Sequence, residues 1–153
     1  MTEIGFYHLT RSTLEQALPR LLGRVLAIPA RALVLCAGEE RLRALDDALW
    51  LSPDPDWLPH GVHEAAHPAP HAAHQPILLS RDDAPPPNGA RHLFLTEGAR
   101  SAHLALFERG FDLFDGNDEA AVADARDRWR ILKAEGHALA YWQQGAGGWE
   151  RKA

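Results

Sequence analysis

Five histidines crowd one stretch of the chain: His60, His63, His67, His71 and His74. Imidazole ligates zinc and nickel well, so a metal centre is the chemistry such a cluster could do. The context opposes it. Pro68, Pro70 and Pro76 keep the segment from forming the single helix that would align ligands by spacing. There is no H-E-x-x-H pattern, and no cysteine joins the cluster. A loop rich in His, Ala and Pro explains the composition without any metal. The rival reading is a small metal-dependent hydrolase that uses the loop from His60 to His74.

Other catalytic signatures are absent. The sequence has neither G-x-G-x-x-G nor G-x-x-x-x-G-K-[ST], and no helix follows Gly145-Ala146-Gly147-Gly148 to aim amides at a phosphate. There is no G-x-S-x-G elbow either. The sequence predicts no catalytic residue and no cofactor.

Recognition chemistry is better represented. Of five tryptophans, Trp50 and Trp57 flank a proline-broken segment that ends at Pro59-His60. Tryptophan is a common interface anchor, and irregular segments lie at the surface. Residues 38–60 hold six acids against Arg41 and Arg43, a balance of −4. Residues 126–133 run the other way, with Arg126, Arg128, Arg130 and Lys133 against Asp127, a balance of +3. Arg126, Arg130 and Lys133 stand at i, i+4 and i+7 and form a basic ridge. Arg126 can fork onto a carboxylate, and Trp129 offers a face for an aromatic ring. That combination suits an acidic peptide with an apolar end.

Strands and helices alternate along the chain. Strand patterns occupy residues 4–9, 33–37, 77–80, 92–96, 111–114 and 138–143. Helical patterns follow Ser12, whose partner Glu15 completes a capping box, and then begin at Glu39, at Gly98 (to Arg109) and at Asp118 (to Glu135). Pro19 predicts a kink or a late restart in the first helix. The last helix carries Ala121, Ala125, Trp129 and Leu132 on its inner stripe, and Gly136 terminates it. This order predicts one α/β domain over residues 1–153, three-layered and Rossmann-like, with a largely parallel central sheet. Residues 60–76 read as an irregular loop and 145–153 as a loose tail.

The formal net charge of −5 argues against a broad grip on a nucleic-acid backbone, so no direct nucleic-acid partner is expected. The lone Cys36, inside an apolar run, suits a reducing compartment. No signal peptide is visible, and no apolar run approaches the roughly 18 residues of a membrane span. A cytoplasmic protein with no membrane partner is expected.

The order and spacing of several segments resemble the chi subunit family of DNA polymerase III. They are Phe6-Tyr7-His8-Leu9, Val34-Leu35-Cys36-Ala37 with Glu39-Glu40, Leu45-Asp46-Asp47-Ala48-Leu49-Trp50, Pro59-His60 and Pro76-Ile77. The match ends with Ala125-Arg126-Asp127-Arg128-Trp129, Gly136 and Tyr141-Trp142. Residues 63–73 and those after Trp142 align with nothing in the family. The resemblance implies a non-catalytic α/β protein that links the clamp loader to single-stranded DNA-binding protein. In the family, the last helix receives that protein's acidic C-terminal tail, which ends in a phenylalanine carboxylate. Arg126 and Trp129 match this site, and Val122 stands where the family has a basic residue one turn earlier. A separate surface binds the psi subunit or an XPD-like helicase. Trp50 and Trp57 match its aromatic pair, beside Pro59.

Overall fold

The computed structural model describes residues 2–53 and 58–153. The helices are α1 (Leu14–Ala27), α2 (Glu39–Leu51) and α3 (Glu119–Ala134). The strands are β1 (Glu3–Leu9), β2 (Ala32–Leu35), β3 (Gly61–Val62), β4 (Ile77–Ser80), β5 (His92–Thr96), β6 (Arg109–Asp115), β7 (Ala138–Gly145) and β8 (Gly148–Arg151). All eight join one sheet in the order β3-β4-β2-β5-β6-β1-β7-β8. The pairings are parallel except that of β8, which runs antiparallel to β7.

Successive strand side chains point to opposite faces, and this alternation splits the core in two. Tyr7, Leu9, Val34, Leu79, Phe94 and Phe111 pack with α1 and α2. Ile4, Phe6, Leu33, Leu78, Leu95 and Phe114 pack on the face that α3 covers. Helix, sheet, helix: the three-layer α/β architecture is present, with a mostly parallel sheet.

Several local expectations need correction. The cap of α1 is Thr13, not Ser12: its hydroxyl accepts from the Gln16 amide while the Gln16 side chain accepts from the Thr13 amide. Glu15 pairs with Arg41, and the Ser12 hydroxyl accepts from Gln144, so tertiary partners chose between two overlapping boxes. Pro19 lies buried inside a helix that begins at Leu14 and runs through it, so the helix does not restart late. Residues 98–109 form no α-helix. Only a 3-10 turn at Leu104–Leu106 forms there, and Arg109 already begins β6. The Asp83 carboxylate accepts from the Ser101 hydroxyl and the Ala102 amide, capturing groups a helix would use. Leu104 and Phe107 are buried as their spacing predicts.

The segment after Gly145 is no loose tail, since β7 and β8 form a hairpin there. Its two-residue connection is Ala146-Gly147, and Gly148 takes a φ of +120°. The loop at 60–76 likewise holds β3 and a 3-10 turn at Ala72–His74.

Candidate functional site

Helix α3 is fixed at both ends. The Asp118 carboxylate accepts from the amides of Ala120 and Ala121. At the other end Gly136, at φ +89°, lets its amide reach Lys133 O and that of His137 reach Leu132 O. This is the double hydrogen bond of a Schellman stop.

The inner face holds a charge that the sequence assigned to the surface. Arg128 is 3% exposed, and its guanidinium grips Asp112 of β6 at 2.7 and 2.9 Å. Asp124, one turn back on α3, takes its remaining nitrogen. Asp112 is itself 1% exposed, on the same sheet face as Phe114. Burial pushes the Asp112 carboxyl up, against the pull of Arg128. Arg128 is therefore structural, which takes one positive charge out of the local surface balance. An aspartate inside the apolar run Phe111-Asp112-Leu113-Phe114 was the available signal, because a buried carboxylate requires a partner.

The outer face holds the ridge. Arg126, Arg130 and Lys133 are exposed, and Arg130 makes a surface pair with Asp127 at 3.0 Å. Trp129 is half-buried, edge-on to Phe6 at 5.3 Å and to Tyr141 at 5.9 Å between ring centroids. Val122 packs half-buried against the same core. Burial pushes the Tyr141 phenol up, and the nearby Arg126 charge opposes that shift. His8 Nδ1 lies 2.6 Å from the Tyr141 hydroxyl. Arg126, Trp129, Tyr141 and His8 thus share one surface. Sequence reasoning missed Tyr141 and His8, because only the β1–β7 register brings them under α3.

The second surface lies on α2. Trp50 is 62% exposed and Leu51 80%, while Leu42, Leu45 and Leu49 face the core. His60 supports Trp50 from below, with ring centroids 4.6 Å apart. Its Nε2 sits 2.7 Å from Asp46 and its Nδ1 2.8 Å from Leu58 O, with Pro59 half-buried between. Trp57 lies outside the described residues.

The histidine loop does not converge. His60 is buried and committed to Asp46 and Leu58 O, and His63 accepts from the Ala69 amide. His67, His71 and His74 are exposed. Among the described residues, no three His, Cys, Asp or Glu side chains are grouped to hold a metal. Among the described residues, no helix is long and apolar enough to cross a membrane.

Each surface centres on a tryptophan, Trp129 on α3 and Trp50 on α2. The family model described as DNA polymerase III chi subunit, HolC, matches residues 1–140 of the 153-residue chain. The chain belongs to the DNA polymerase III chi subunit family. No curated protein matches it. Chi family membership makes it an accessory subunit of DNA polymerase III, acting in DNA replication. The matched span includes both the Trp50 surface and the whole of α3.

Proposed function

We propose that the chain links the clamp loader of DNA polymerase III to single-stranded DNA-binding protein, without catalysis of its own. The observation that carries this reading is the exposed Arg126 beside half-buried Trp129 and Tyr141 on the outer side of α3. A guanidinium next to two half-buried aromatic rings offers a carboxylate and a phenyl ring what each requires. The acidic tail of single-stranded DNA-binding protein, ending in phenylalanine, is the ligand of that description. Arg130 and Lys133 extend the positive field for its acidic residues. Val122 replaces a charge with an apolar contact, so phenyl packing weighs more here.

The α2 surface is the second half of the reading. Exposed Trp50 and Leu51, with Asp46 and Asp47 close in sequence, suit a partner that is apolar and basic. The psi subunit of the clamp loader or an XPD-like helicase is that partner.

A peptide with the tail sequence, titrated against the whole chain, tests the proposal. Binding weakens as salt rises, because exposed charge pairs are screened. Amidating the peptide's C-terminus removes most of the affinity. A free-acid peptide that binds no better than its amide sinks the reading.

A further inference from the structure

The sheet face opposite α3 carries another basic surface, which the net charge conceals. Two adjoining grooves run along α1 over the β7–β8 end of the sheet, with volumes of about 720 and about 270 Å³. They share Leu21, Arg24 and Trp149. Four exposed guanidiniums line them: Arg11, Arg20, Arg24 and Arg109. Among the described residues, none of the four forms an ion pair with a carboxylate. The lining acid, Glu15, is already held by Arg41.

Beneath the arginines lies an aromatic floor. Tyr7 and Trp142 stack at 6.5 Å and 12°, and Trp149 meets Tyr7 edge-on at 5.0 Å. Both indoles are half-buried. In the smaller groove the Arg109 guanidinium lies 5.1 Å from the Phe111 ring centroid. His92, which lines the same groove, is 5% exposed and its Nδ1 has no hydrogen-bond partner. Burial and then the Arg109 charge push its pKa down, which leaves a neutral ring with a free nitrogen.

The arginines form a line rather than a cluster. Arg20 and Arg24 stand one turn apart, about 6 Å along α1. Arg11 follows the end of β1 and Arg109 begins the adjacent, parallel β6, so they lie at opposite ends of neighbouring strands, about 20 Å apart. We propose that this track holds a short single strand of nucleic acid, with phosphates on the arginines and bases against the tryptophans. A charged track beside stacking platforms is how sequence-tolerant single-strand sites are built. The Arg126–Trp129 site brings one guanidinium and one ring together, as a peptide terminus requires; the α1 track extends instead. Net charge predicts no such contact, but at about 0.1 M salt charges act over only about 10 Å. Glu108 and Glu150, which lie beside the grooves, are paired with Arg91 and Lys152, and acids farther off are screened.

The test is a titration of fluorescein-labelled oligo(dT) into the full chain at about 50 mM salt, followed by anisotropy and tryptophan quenching. Saturable binding in about the 10–100 µM range is expected, with log affinity falling against log salt at a slope of about −3, or roughly 0.7 per phosphate for four phosphates. The double variant Arg20→Glu/Arg24→Glu melts normally and loses at least about tenfold in affinity. Trp149→Ala loses the quenching. If it disturbs the hairpin, the double variant still decides, because both of its sites are exposed. Arg126→Ala leaves oligonucleotide binding unchanged. The proposal fails if no saturable binding occurs, if the double variant binds as well as the parent, or if Arg126→Ala removes the signal. It also fails if an acidic peptide, rather than the oligonucleotide, is what the double variant stops binding.

Discussion

Arg126 and Arg128 are two residues apart on the same helix, yet they do opposite work. Arg128 points inward, 3% exposed, and neutralises a carboxylate the sheet has buried. Arg126 points outward, beside the half-exposed rings of Trp129 and Tyr141. The helical turn of 100° per residue separates them, and desolvation then assigns the roles. A charge removed from water must be matched inside the protein, whereas a charge left in water is free to match something outside it.

The first way to break this contrast is Arg128→Ala. It leaves Asp112 buried without its partner and is expected to cost about 3–5 kcal/mol in denaturant unfolding. Replacing both partners with apolar residues (Asp112→Leu with Arg128→Met) recovers most of that loss. If Arg128→Ala instead unfolds like the parent but binds tail peptide poorly, the inner and outer roles are wrongly assigned.

Trp50→Ala extends the contrast to α2, where the ring is largely in water. As a central interface aromatic it is expected to be worth about 2–4 kcal/mol of partner association, with little change in melting temperature. A pulldown of the clamp-loader or helicase partner that succeeds with the variant removes this surface from consideration. Arg126→Ala comes next. It costs about 2 kcal/mol in tail-peptide affinity, roughly thirtyfold, while stability stays within about 0.5 kcal/mol. Calorimetry of binding and of unfolding on one sample measures both, and equal losses in the two would erase the distinction.

The smallest effect is a pH dependence at Asp83. Burial works to raise this carboxyl, but hydrogen bonds from Ser101, the Ala102 amide and His103 outweigh it and hold it below the usual range. A lowered folded-state pKa adds stability above the unfolded value of about 3.9, and that stability is lost as pH falls through the folded value. Asp83→Asn should therefore flatten the acid limb of the stability profile slightly. An unchanged limb would mean that these bonds form equally well with the protonated acid.

Much of this was readable beforehand. Short apolar runs placed the strands, and Leu42, Leu45 and Leu49 marked the inner face of α2. Gly136 ended α3 as its conformation requires. What stayed hidden depended on partners distant in sequence. Ser12-x-x-Glu15 and Thr13-x-x-Gln16 are equally good caps until Gln144 and Arg41 take the first pair. Residues 98–109 carry helical spacing, but Asp83 claims the Ala102 amide and the Ser101 hydroxyl. The β8 strand hides in a glycine-rich, charged tail, where Trp149, packed on Tyr7, was the lone clue. At the candidate site, Arg126 and Trp129 are local to one helix and were legible. Tyr141 and His8 needed the register between the first strand and the seventh.

That register has a consequence for how the chain is made. The first strand emerges early, carrying Ile4, Phe6, Tyr7 and Leu9, yet it pairs Glu3 only with Arg109 and Ala138. At about 5–20 residues per second of synthesis, its earliest partner arrives about 5–20 s later. Until then an apolar strand has both edges open, a template that any neighbouring nascent chain could join. Contacts so distant in sequence also slow folding. The position of β1 between β6 and β7, paired on both edges in the finished sheet, makes it the strand that waits longest for its first partner.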